Sequence, residues 1–94
     1  MRFDWDPQKA RGNLAKLGAS FSEASTVFAD GLAWTYPDHR HSDVEERWLT
    51  IGSSERGRIL VVSHTVAEEE LLLRIISARE ATRKVQKFYE EQRR

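Results

Sequence analysis

Three strand-like runs follow one another between residues 47 and 76 with only turns between them, and this constrains the fold more than any other feature. Arg47 to Ser53 reads as a strand, Ser54 to Gly57 as a turn, and Arg58 to Thr65 as a second, β-branched strand, so the two form a hairpin. Glu68 to Glu70 mark another turn before Leu71 to Ile76, the last strand. Connections this short bring neighbouring strands together antiparallel, because a parallel return needs a long crossover. Ahead of them, Leu32 to Tyr36 is a short aromatic strand with Trp34 and Tyr36 on one face.

The first third of the chain has a different period. Phe3 and Trp5 alternate with Arg2 and Asp4 as in a short strand. Asp6 and Pro7 then start a helix, the first as a cap and the second at a position where its missing N–H costs nothing. Ala10, Leu14 and Leu17 follow at helical spacing up to Gly18. Ser20-Phe21-Ser22-Glu23 is a capping box that opens a second helix, with Ala24, Val27 and Phe28 inward and Asp30-Gly31 at its end. A second such box, Ser77-Ala78-Arg79-Glu80, predicts the start of a C-terminal helix whose apolar face is Ala81, Val85 and Phe88. The expected class is α+β in the order β-α-α-β-β-β-α: an antiparallel meander with two N-terminal helices and a C-terminal helix.

Ninety-four residues suit one domain, 1–94, whose small core gains from a partner that covers part of its surface. Cysteine is absent, which excludes disulfides and thiolate–metal sites and fits a reducing compartment. No apolar run approaches the roughly 20 residues of a membrane helix, so the expectation is a soluble, cytoplasmic protein. The net charge is zero, yet from Arg74 onward seven Arg or Lys face three Glu, so the C-terminal segment is locally basic. Nucleic-acid binders usually carry a basic excess, and contact with RNA here has to be local.

Several residue groups suggest chemistry. Strand alternation puts Arg58 with His64, Arg74 with Leu72, and Arg47 with Leu49, each set on one face. Depending on register, Arg47, Arg58, His64 and Arg74 can share a concave side as a phosphodiester site, since guanidinium matches phosphate oxygens. The plain alternative is that they pair with the abundant glutamates. The loop Asp38-His39-Arg40-His41-Ser42-Asp43 suits acid–base work better than metal binding, because His-x-His lacks helical ligand spacing. It also reads as an ordinary solvated loop. Glu45 or Glu46 beside Arg47 can act as a base or simply hold the arginine. The last helix offers Arg83, Lys84, Lys87 and a half-packed Tyr89 with its hydroxyl outside. Arg79, expected in its first turn, is poorly placed for the helix dipole, which hints at an anionic partner. Trp34, Tyr36 and Trp48 can stack on bases or fill a core.

The order of these signals along nearly the whole chain resembles one family. FDWDPQKARGNLAKLGASFSEASTVFAD, DHRHSDVEERWLTIGSSERGRILVVSHT and RIISAREATRK are similar, in this order, to the segments of BrnT ribonuclease toxins. The resemblance implies a RelE-like fold and metal-independent cleavage of RNA without a cofactor, in a type II toxin–antitoxin pair that arrests translation. It also implies neutralisation by a BrnA-type antitoxin in a complex of two toxins and two antitoxins, with DNA contacted only through the antitoxin and no membrane role. Matching motifs nominate Arg58, Arg74, Arg79, Glu46 (or Glu45), Lys16 and Tyr89 for catalysis, and Arg47, His64, Arg83 and Lys84 for holding RNA. The chain departs from the pattern at Leu17, where the family usually has histidine, at Val66-Ala67 and the three glutamates in place of a basic turn, and at Val85 in place of glutamate. The alternative reading is a weak or inactive RelE-like module that binds antitoxin or RNA without cutting.

Overall fold

The protein is seen in a computed structural model that describes residues 1–40 and 46–92. Strand β1 (Arg2–Asp4) leads into α1 (Pro7–Leu17) and α2 (Phe21–Thr26), which ends in a single tight turn, Val27–Ala29. The strands β2 (Trp34–Pro37), β3 (Trp48–Ser53), β4 (Ile59–Ala67) and β5 (Leu72–Glu80) follow, and α3 (Arg83–Gln92) closes the chain. They build one five-stranded sheet in the order β1-β5-β4-β3-β2.

Three features differ from the sequence expectation. Four strands lie between α2 and the last helix, one more than the expected order β-α-α-β-β-β-α counts, and all four runs read as strands form them, the aromatic run included: Trp34 opposes Ile51 and Tyr36 opposes Leu49. The sheet is mixed, since β1 runs parallel to β5 at the far edge. Finally, Ser77 to Glu80 is strand. Its backbone is taken up by the ladder with β4, in which Ser63 opposes Ser77 and Leu60 opposes Glu80. That pairing outcompetes a local capping box, and α3 starts later, with Thr82 as cap: its hydroxyl accepts from the Val85 N–H at 3.3 Å and its carbonyl from the Gln86 N–H at 2.8 Å. Arg79 therefore lies on a strand and not in a helical first turn.

The sheet has a core on each face. On one side Ala19 from the α1–α2 connection, Phe21 and Ala24 from α2 and Val27 from the turn after it pack against Leu60, Val62, Leu73, Ile75 and Ala78. On the other, Ala81 from the β5–α3 connection and Tyr89 from α3 pack with Ile51 and Val61. The α1 stripe expected from Ala10, Leu14 and Leu17 is only partly used, for Leu14 and Leu17 remain exposed. In the second capping motif, Ser20 does cap the Glu23 N–H at 3.0 Å, but the Glu23 carboxylate turns into the body of the protein.

The polar anchor of α1 is Asn13. Because β1 pairs only with Leu72 to Arg74, the outer edge of β5 beyond that point has no strand partner among the described residues. The buried Asn13 amide fills the gap, donating to the Ala78 carbonyl at 2.7 Å and to the Ala19 carbonyl at 2.9 Å, and accepting from the Ala78 N–H at 3.1 Å. Asn13→Leu, which leaves those backbone groups dry and unpaired, is expected to cost about 2–3 kcal/mol in a denaturant titration.

Candidate functional site

Helix α3 covers only part of its face of the sheet. Beyond it, the strand row Leu49, Ser63 and Ser77 is in register across β3, β4 and β5, with Arg79 two residues further along β5 on the same face, opposite Val61. Two serines in the floor leave space where larger side chains would fill it. The result is a cleft of ≈ 640 Å³ walled by Arg47 just ahead of β3, by Arg79 on β5, and by Tyr36, Asp38, His39 and Arg40 at and beyond the end of β2. Among the described residues that line it, three are arginines and one is an aspartate, in a chain of zero net charge. The Arg47 carbonyl accepts from the Asp38 N–H at 2.8 Å, which ties the loop after β2 to the start of β3 and fixes both walls. Such a cleft can hold a phosphate between guanidinium groups with an imidazole in reach for proton transfer.

The four basic residues expected on one concave side do not share one. Trp48 opposes His64 and Leu49 opposes Ser63, so Arg47 and His64 point to opposite faces. Arg58 belongs to the α1–α2 side. Its Nε and Nη2 grip the two Glu23 carboxylate oxygens at 2.9 and 2.6 Å, and Nη2 also donates to the Gly18 carbonyl at 3.1 Å. The Ser54 hydroxyl donates to the same carboxylate at 2.7 Å. The Arg58 hydrogen bond holds the Glu23 carboxyl below its ordinary pKa, against the opposing effect of burial. Arg74 is near the end of the sheet, exposed and bonded to Asp4 across the parallel pair. Lys16 is exposed in the last turn of α1, on the helical side of the molecule.

Other candidates sit elsewhere again. Tyr89 is buried, not half-packed, and its hydroxyl donates to the Asp30 carboxylate, which also accepts from the Ser53 N–H at 2.8 Å and the Leu32 N–H at 3.0 Å. This places it as the clamp that fastens α3 to the β2–β3 edge. Glu46 is exposed just ahead of β3, and Arg83 and Lys84 are exposed on α3. Trp48 is partly buried, whereas Trp34 and Tyr36 are exposed on the α3 face. His41, Asp43 and Glu45 lie outside the described residues. Among the described residues, no three His, Asp or Glu side chains come together as a metal site requires. Arg40 was not singled out from sequence, and the only signal for it was its place beside His39 in the polar loop.

His64 is a core histidine. It stacks edge-on against Phe28 at 4.9 Å, and its Nε2 is 2.8 Å from the Thr50 hydroxyl, which in turn is 2.7 Å from that of Thr35. Burial pushes its pKa down from 6.5 to about 4, so the ring is neutral in the folded protein near neutral pH. The unfolded chain binds this proton first as pH falls. Stability is therefore full above about pH 6.5 and declines toward pH 4, by about 3 kcal/mol for this group. Unfolding measured across that range should show the slope, and His64→Gln should flatten it.

The fold and its cleft define a small α+β protein with an arginine-lined cleft on the open half of a mixed sheet. Residues 5–84 match the family model described as ribonuclease toxin, BrnT, of type II toxin–antitoxin system. The crystal structure of the Brucella abortus ribonuclease toxin BrnT is similar, with a TM-score of 0.69 and 26% identity over 88% of this chain and 99% of that one. No curated protein matches the chain at a significant level. The chain belongs to the BrnT family of ribonuclease toxins.

Proposed function

We propose that this chain cleaves RNA in the cleft between Arg47 and Arg79, in the manner of a RelE-like toxin. The observation that carries the reading is the convergence of Arg40, Arg47 and Arg79 with His39 around one open cavity. A ribose 2′-oxygen, on losing its proton, attacks the adjacent phosphorus; the bond to the 5′-oxygen breaks and that oxygen takes a proton. Arg47 and Arg79 stabilise the extra negative charge of the phosphorane, and His39 moves the protons. The chemistry needs the 2′-hydroxyl, hence RNA over DNA, and it needs no metal.

Within this reading, Arg58 serves the fold through Glu23, Tyr89 clamps α3, and Lys16 and Arg74 act outside the cleft. Glu46, just ahead of Arg47, is an alternative proton carrier. The activity halts translation in the cytoplasm, and a BrnA-type antitoxin holds it off in a complex of two copies of each chain. Family membership supports an antitoxin partner in general. Expression of the chain without its antitoxin should arrest growth with broken RNA, and co-expression should restore both; intact RNA during arrest would refute the nuclease reading.

A further inference from the structure

Tyr36 borders two cavities. One is the arginine cleft; the other is an apolar trough of ≈ 280 Å³ between α3 and β2, lined by Tyr36, Ile51, Val85 and Phe88 with Lys84 at its rim. Three of the rings here are exposed: Trp34 at 42%, Tyr36 at 39% and Phe88 at 41%. The Phe88 ring is braced by Trp34, centroid to centroid at 5.9 Å and tilted by 62°. That contact spans from α3 to β2, so the ring is held at a set height above the sheet.

Resting on the cleft reading above, we propose that this trough is a nucleobase subsite, which takes the base next to the phosphodiester held by Arg47 and Arg79. A single RNA strand alternates charged phosphate and flat base, and this surface alternates a cationic cleft and an aromatic trough with Tyr36 as their common wall. The trough is smaller than the roughly 300–1,000 Å³ of sites that enclose a whole ligand, as suits one fragment of a longer molecule. Aromatic faces bind any base, and Lys84 adds a point charge for the next phosphate. The subsite positions the base beside the cut and gives only a modest preference among bases, through stacking strength and fit.

The test uses short single-stranded 2′-O-methyl RNA oligonucleotides, which cannot be cut, with 2-aminopurine at each position in turn. One position should lose fluorescence on binding as its base stacks. Phe88→Ala should abolish that quenching and weaken binding by about tenfold, while Phe88→Tyr keeps both. Lys84→Gln, a change at an exposed position that leaves the fold alone, should weaken binding a few-fold without moving the quenched position. Unchanged quenching in Phe88→Ala overturns the proposal. So does intact oligonucleotide binding together with loss of neutralisation by the antitoxin, which would make the trough a protein contact. If Arg79→Ala binds as well as the unaltered protein while Phe88→Ala still loses the quenching, the cleft reading fails and the trough stands by itself.

Discussion

Alanine in place of Arg79 should slow RNA cleavage by on the order of 100-fold and leave the unfolding curve where it is. The side chain stands exposed on β5 at the cleft, so its removal strands no buried charge. What is lost is a guanidinium aimed at the place where charge builds up in the transition state, and such preorganised groups act mainly on turnover. Lysine at the same position restores the charge but not the two parallel hydrogen bonds, and should recover only part of the rate. Single-turnover cleavage of a defined RNA by both variants checks this. Full activity in Arg79→Ala would remove the cleft from the mechanism.

Arg58→Ala should do the reverse of that pattern: it should destabilise the protein and in that way mimic a catalytic lesion. Glu23 is 3% exposed and relies on Arg58 for two hydrogen bonds. Without its partner the buried carboxylate keeps, among the described residues, only the Ser54 hydroxyl and the exposed Arg56 guanidinium at 3.8 Å, a loss of about 3 kcal/mol. In a domain of this size that lowers the melting temperature by roughly 15 °C. Since the Glu23 pKa is depressed in the fold, the pair contributes stability above the carboxylate's ordinary value, and that contribution disappears as pH falls through the lowered one. Replacing both partners, Glu23→Leu with Arg58→Met, should recover much of the loss because no charge then remains inside. If Arg58→Ala melts like the unaltered protein yet fails to cut RNA, Arg58 belongs to the chemistry after all.

The residues nominated from sequence thus divide by tertiary context. Arg47 and Arg79 meet in the cleft, while Arg58 and Tyr89 are bound to Glu23 and Asp30, residues 35 and 59 positions away along the chain. Nothing local distinguishes these fates. An arginine at the start of a strand looks the same whether it faces a phosphate or a buried glutamate. The Ser77–Glu80 box is instructive for the same reason. Its local hydrogen bonds are worth less than a ladder with β4, and no local signal reports that β4 is near.

From sequence alone came the periodic helices, the capping of α1 by Asp6 and Gly18, the hairpin of β3 and β4, the α+β class and the family resemblance. Each rests on contacts between neighbours in the chain, on side-chain alternation, or on the order of motifs. Strand register, the parallel docking of β1, the five-residue delay of α3 from a Ser77 cap to a Thr82 cap and the face to which each arginine points were decided by tertiary structure. A shift of one residue in pairing sends every side chain to the other side of a sheet, and the hydrogen bonds that fix the pairing join segments far apart in the chain.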